Sequence, residues 1–197
     1  MVPYVSIVGK SGSGKTSLIE RLITEFKGRG YRIASVKHCP HGMEIDKPGK
    51  DSWKFSQAGS AAVVFSSLDK LVFVKNVDGD SSIAEILRMI GGDFDLVLIE
   101  SYKKDRAPKI EVHRKELGDD FICPTEALSA IITDEQLKID KPQFPLNDTS
   151  AIADFIEKNY VFKPESDTSL FINGKQIPIK IFVKDFICVF KIFYFFL

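Results

Sequence analysis

Eight residues near the start of the chain, Gly9-Lys10-Ser11-Gly12-Ser13-Gly14-Lys15-Thr16, match the GxxxxGK[ST] spacing of a phosphate-binding loop. The glycines carry no Cβ, so the backbone can wrap closely and aim its N–H groups inward. The helix that follows adds unpaired donors and the positive end of its dipole to the same cavity. Lys15 can reach the β- and γ-phosphates, and the Thr16 hydroxyl can ligate Mg²⁺. Gly9 through Ser17 are therefore the candidate residues for holding a nucleoside triphosphate. A second acid completes the chemistry. Glu100 ends the apolar run Phe94-Asp95-Leu96-Val97-Leu98-Ile99, the Walker B pattern, where a carboxylate holds Mg²⁺ or orients an attacking water. Asp95 begins that run, so its side chain belongs at the opposite end of the sheet.

These residues need a particular frame. Tyr4 to Val8 reads as a strand, and Lys15 onward as a helix burying Leu18, Ile19, Leu22, Ile23 and Phe26, ended by Gly28 and Gly30. Tyr31 to Lys37 reads as a second strand with Ile33 and Val36 in the core, making a right-handed βαβ unit. Asp51 or Ser52 is expected to cap a helix through Ala58, in which Trp53 and Phe55 pack. Ala61–Ser66 and Leu71–Lys75 read as a hairpin. Ser82-Ile83-Ala84-Glu85 is a capping box opening a helix that stops at Gly91-Gly92. Lys109 to His113 alternates like a strand, with His113 structural; Leu128 to Ile132 does so more weakly. A last helix runs from about Thr149, capped by Asp148 or Thr149, to about Lys158. The sum predicts a P-loop NTPase-type three-layer α/β/α sandwich with a mostly parallel sheet over residues 1–160. Residues 161–197 read as an extension: a hairpin turning at Asn173-Gly174, then an aromatic tail.

Composition narrows the function. The 197 residues hold 27 basic and 27 acidic side chains, a balance that argues against a general nucleic-acid or anionic-membrane surface. The tail is too short and too charged to span a membrane. Cys39, Cys123 and Cys188 are odd in number and far apart, so no disulfide framework is expected. No charged-then-apolar leader opens the chain, and it reads as cytoplasmic.

Between the second strand and the next helix lies a polar run containing His38, Cys39, His41, Asp46 and Asp51. It leaves the carboxyl end of a strand, where open α/β sheets place ligands. His38-x-x-His41 lacks a second pair to complete a zinc quartet, so Lys37, His38, His41 and Asp46 are read as gripping a substrate phosphate or sensing nucleotide. Asp134, at the end of a predicted strand, has two readings. It can accept N1–H and N2–H₂ of a guanine, or cap a short helix at Glu135. Lys10 also has two: a solvated lysine near phosphate, or the lysine of a deviant Walker A loop, which in a dimeric class of P-loop proteins reaches the partner's nucleotide.

Taken in order, Gly-Lys-Ser-Gly-Ser-Gly-Lys-Thr, Val36-Lys37-His38-Cys39-Pro40-His41, Ile45-Asp46-Lys47-Pro48-Gly49-Lys50-Asp51-Ser52, Leu98-Ile99-Glu100-Ser101-Tyr102-Lys103 and Pro108-Lys109-Ile110-Glu111-Val112-His113-Arg114 resemble the molybdopterin-guanine dinucleotide biosynthesis protein B (MobB) family over about residues 3–158. Ser101 stands where that family commonly has glycine, which restricts the backbone there. The resemblance implies a homodimeric GTP-binding protein with weak Mg²⁺-dependent GTPase activity. It would assist the guanylyltransferase that joins GMP to molybdopterin, with molybdopterin itself a possible ligand. Slow turnover fits the lack of a catalytic arginine or glutamine placed by motif. The residues alone leave open a P-loop small-molecule kinase, or a nucleotide-binding switch or scaffold without turnover.

Overall fold

The computed structural model of the protein describes residues 2–39, 42, 48–102, 107–161, 170–172 and 175–177. It divides into two units, 1–160 and 161–197. His41, Asp46, Lys103, the Asn173-Gly174 turn and the aromatic tail lie outside the described residues.

The first unit is built on six parallel strands in the order β2-β5-β1-β6-β7-β8. They are β1 (Tyr4–Gly9), β2 (Ile33–Lys37), β5 (Leu96–Glu100), β6 (Lys109–Val112), β7 (Leu128–Thr133) and β8 (Gln143–Pro145). Between β2 and β5 the chain adds an antiparallel hairpin, β3 (Ala62–Ser66) and β4 (Leu71–Lys75). Among the described residues four helices accompany the strands: α1 (Lys15–Gly28), α2 (Asp51–Gln57), α3 (Ile83–Ile90) and α4 (Thr149–Tyr160). The second unit contains the short antiparallel pair β9 (Leu170–Ile172) and β10 (Lys175–Ile177).

Register decides what each face carries. Tyr4 pairs with Val97, Ser6 with Ile99 and Lys109, and Val8 with Glu111; paired residues share a face and successive residues alternate. One face therefore holds Val8, Val97, Ile99 and Ile131, which pack against α3 through Ile83 and Leu87 and against Phe121, Ile122 and Cys123. The opposite face holds Ile7, Leu98, Ile110 and Ile132, all fully buried. Helix α1 packs on β1 and β5, with α4 beside it. The result is the expected three-layer α/β/α arrangement. Arg29 ties α4 to α1 through Asp154 (2.6 Å) and Glu157 (2.9 Å).

Local signals behave as their chemistry requires. Ser82 and Glu85 form a reciprocal capping box at α3. Asp148 accepts the Ala151 N–H at 3.0 Å and so caps α4. In α1 the buried stripe is Leu18, Ile19, Leu22 and Phe26, with Ile23 at its margin.

Several expectations change. Ile33 and Val36 are half-buried, because β2 is an edge strand. Lys50 rather than Asp51 or Ser52 precedes α2, with no side-chain cap. Phe55 does not pack; it is 57% exposed. Strand β6 alternates in sequence yet is buried throughout, because β1 and β7 flank it and both faces are covered. Its polar residues are absorbed by specific partners. The Glu111 carboxylate accepts the N–H groups of Ile122 (2.6 Å) and Cys123 (3.1 Å), clamping that segment over the sheet.

Candidate functional site

The C-terminal ends of β1, β5 and β6 converge on the loop from Lys10 to Gly14. Gly9 has φ 149°, and a Cβ there would stand 2.5 Å from the Val112 carbonyl oxygen and 2.7 Å from Ser13 Oγ. Only glycine lets the loop lie this close to β6. Gly12 and Gly14 also have positive φ, with open space where a Cβ would project.

Lys15 is buried, and its ammonium donates to the carbonyl oxygens of Gly9 (3.0 Å) and Lys10 (2.7 Å). The charge is thus stretched back across the loop, where phosphate oxygens would lie. Ser13 is 1% exposed, and its hydroxyl has no hydrogen-bond partner among the described residues. An orphaned buried hydroxyl costs about 1–3 kcal/mol, so a ligand oxygen is the kind of group this cradle fits. The carboxylate of Glu100 receives the Thr16 hydroxyl at 3.1 and 3.2 Å. Parallel pairing of Ile7 with Glu100 brings the acid to the loop. Lys37, paired across from Glu100 on β2, places its ammonium 3.9 Å from Glu100 Oε2. A hydroxyl and a carboxylate oxygen on adjoining elements are a donor set suited to Mg²⁺, which takes hard oxygen ligands and keeps several waters.

Asp95 sits at the far end of β5, where its carboxylate accepts the Arg32 N–H at 2.6 Å. Lys10 turns to its own chain and donates to the carbonyl oxygens of Leu117 (2.8 Å) and Gly118 (3.3 Å), at the end of the 3₁₀ turn Lys115–Leu117. His38 Nε2 lies 3.0 Å from Asp80 Oδ1, its ring tilted against Tyr102 at 4.7 Å. Among the described residues no group of three His, Cys, Asp or Glu is placed to hold a metal ion. His113 is structural, stacked on Phe121 and bonded to Glu135.

Asp134 caps a turn, though not the one anticipated. No helix forms at Glu135; instead Asp134 Oδ1 accepts the Lys115 N–H at 3.0 Å, which pulls its carboxyl below the ordinary range. Ser101, next to Glu100, has φ 69°, a left-handed backbone that costs an L-residue about 1–2 kcal/mol. Its N–H bonds to Ile7 at 3.0 Å, which fixes the conformation.

Sequence reading missed Glu111, Arg21, Arg114 and Asn147. Glu111 and Arg114 lie in the block Pro108–Arg114, but nothing in it tells their roles; Arg21 and Asn147 stand in no motif, and only the fold assembles Arg21, Arg114 and Asn147 around the loop. Arg21 reaches from α1 to the Leu146 carbonyl (2.8 Å) and the Thr149 hydroxyl (3.2 Å).

Residues 4–134 match the model of the family described as Molybdopterin guanine dinucleotide synthesis protein B. The chain is 36% identical over 157 residues to a molybdopterin-guanine dinucleotide biosynthesis adapter protein of Haemophilus influenzae, covering 79% of this chain and 88% of that one. It is 30% identical over 162 residues to the protein of that name from Escherichia coli, covering 79% and 92%. The crystal structure of a molybdopterin-guanine biosynthesis protein B superposes with a TM-score of 0.61 at 29% identity, covering 79% of this chain and 98% of that chain.

Proposed function

The chain belongs to the molybdopterin guanine dinucleotide synthesis protein B family, and from that premise we propose that it is a GTP-binding adapter with weak GTPase activity. It serves molybdopterin guanine dinucleotide biosynthesis, and the proposed partner is the guanylyltransferase of that pathway, with molybdopterin as a further ligand.

The observation that carries the nucleotide reading is the convergence of three groups on one loop. Lys15 spans the loop interior, Ser13 keeps a buried hydroxyl there that no described residue bonds, and Thr16 meets the Glu100 carboxylate at 3.1 Å. On this reading Lys15 and the loop N–H groups bind the β- and γ-phosphates. Thr16 and Glu100 hold Mg²⁺, which neutralises charge on the phosphate oxygens. Glu100 also orients water against the terminal phosphate. Lys37 stands on the exposed side of Glu100, placed to meet a second phosphate-bearing ligand.

Homodimerisation is supported by the β3–β4 hairpin, one face of which exposes Val64 (55%), Leu71 (71%) and Phe73 (49%), apolar side chains that a second copy would cover.

One comparison tests the function. Purified protein is titrated with GTP and ATP in Mg²⁺, then added to the guanylyltransferase with molybdopterin and GTP. GTP binding together with faster guanylyl transfer is expected. An ATP preference with no effect on guanylyl transfer would overturn the reading, as would phosphate transfer to a metabolite. Lys15→Ala is expected to abolish nucleotide binding; unchanged GTP affinity refutes the site.

A further inference from the structure

Lys10 belongs to the phosphate loop by its backbone and to another element by its side chain. Its carbonyl oxygen accepts the Lys15 ammonium at 2.7 Å, where phosphate oxygens would lie. Its own ammonium turns the other way and donates to the carbonyl oxygens of Leu117 (2.8 Å) and Gly118 (3.3 Å). Those two carbonyls stand at the end of the 3₁₀ turn Lys115–Leu117, which buries none of its residues. A 3₁₀ turn has poorer hydrogen-bond geometry than an α-helix, so a single turn with nothing buried depends on what holds its ends.

The holds can be named. At the start of the turn Asp134 accepts the Lys115 N–H at 3.0 Å, and the Arg114 guanidinium meets Glu116 at 3.3 Å. Beyond it Phe121 is stacked on His113, and Glu111 clamps the N–H groups of Ile122 and Cys123. Between these fixed points run residues 117–120, of which Gly118, Asp119 and Asp120 are exposed. Among the described residues, the side-chain hydrogen bonds to this stretch come from Lys10 alone.

A triphosphate changes the balance at Lys10. The ammonium now rests on two neutral carbonyls, the Gly118 one in an exposed position. Phosphate oxygens in the loop offer the same kind of hydrogen bond with the attraction of opposite charges added. Lysine is a compact charge on a flexible stem, so it can change partners without moving the loop backbone. We infer that Lys10 is a nucleotide-operated latch on its own chain: with the loop empty it holds Leu117 and Gly118, and a bound triphosphate draws the ammonium inward and frees residues 117–120. This rests on the phosphate-loop reading, because the phosphates at Lys15 are what compete for Lys10. Once freed, the stretch carries Asp119 and Asp120 on a loose segment rather than a braced one. The loaded chain then differs from the empty one at its surface as well as inside its loop.

The test is amide hydrogen exchange on the full chain, with and without inorganic tripolyphosphate and Mg²⁺, whose binding is followed separately by calorimetry. Tripolyphosphate carries no nucleoside, so only phosphate can act on the turn. The reporters are the N–H groups of Leu117 and Gly118, bonded within the turn to the carbonyl oxygens of Arg114 (3.0 Å) and Lys115 (3.1 Å). The N–H groups of Ile122 and Cys123, held by Glu111, serve as the reference. Saturating tripolyphosphate is expected to speed exchange at Leu117 and Gly118 by about tenfold and to leave the reference unchanged. Lys10→Met keeps the stem and removes the charge. Its turn is expected to exchange at the fast rate with or without tripolyphosphate, while an unchanged reference shows the fold intact. Exchange at Leu117 and Gly118 that stays the same or slows while calorimetry shows tripolyphosphate bound overturns the latch. So does a Lys10→Met turn that exchanges as slowly as that of the unchanged chain. Failure of the unchanged chain to bind tripolyphosphate instead overturns the phosphate-loop reading, and the latch with it.

Discussion

Alanine at Gly9 and at Gly12 separates tertiary contact from backbone freedom within one loop. Both glycines have positive φ, 149° and 78°, so alanine is strained at each by about 1–2 kcal/mol. Alanine also narrows the unfolded ensemble by about 0.4–1 kcal/mol at either site, which cancels in the comparison. The difference is what the new methyl meets. At Gly12 nothing lies within 4 Å. At Gly9 it would stand 2.5 Å from the Val112 carbonyl oxygen and 2.7 Å from Ser13 Oγ. The serine can rotate; the carbonyl belongs to β6 and moves only with the sheet. Overpacking of this kind adds about 1–3 kcal/mol. Gly12→Ala should therefore cost about 1 kcal/mol and Gly9→Ala about 2–4 kcal/mol. In a unit of this size that is a fall in Tm of roughly 3 °C against roughly 6–12 °C. Urea and thermal denaturation without nucleotide read both values. Equal destabilisation of the two variants refutes the argument that the loop is braced on β6.

Three further outcomes follow from the same geometry. Ser101→Gly relieves a left-handed serine (φ 69°) and should raise stability by about 1 kcal/mol; a loss of stability on denaturation contradicts the strain. Glu100→Gln, which keeps the shape and removes the charge beside Thr16, should cut the gain in GTP affinity given by Mg²⁺ by about tenfold, and unchanged titrations with and without chelator would exclude Glu100 from the ion. Asp134 and Glu85 both have lowered carboxyl pKa values, Asp134 from the Lys115 N–H and Glu85 from the Ser82 N–H and hydroxyl. A depressed pKa stabilises the fold above the unfolded value near pH 4 and is lost as pH falls through the folded value. Asp134→Asn should accordingly flatten the acid limb of stability below about pH 4; an unchanged limb removes Asp134 as its source.

Glu100 and Arg114 mark the boundary between what could be read and what could not. The loop, its helix and the capping box are local events. A glycine spacing, a 3.6-residue stripe and a Ser-x-x-Glu are complete within a few residues, so they were legible. Glu100 was legible because an apolar run closing in a carboxylate has one sensible use next to a phosphate loop. The exposure of Phe55 and the full burial of β6 were not legible, for a shared reason. Periodicity tells which side of an element is apolar, but whether that side is covered depends on neighbours far away in sequence.

The sequence by itself determined the phosphate loop, the acid that serves it, the α/β alternation and the family resemblance, because each is written in residues close together or in a fixed order. Only the tertiary structure decided that β1 lies between β5 and β6, which sets Thr16 against Glu100 and forbids a Cβ at Gly9. It likewise turned Lys10 onto Leu117 and Asp134 onto Lys115, and gathered Arg21, Arg114 and Asn147 around one cavity. The physical reason is that hydrogen bonds and carbonyl contacts act over about 3 Å, while the residues that make them are separated along the chain by up to 128 positions. Strand order, which no local pattern encodes, is what brings them together.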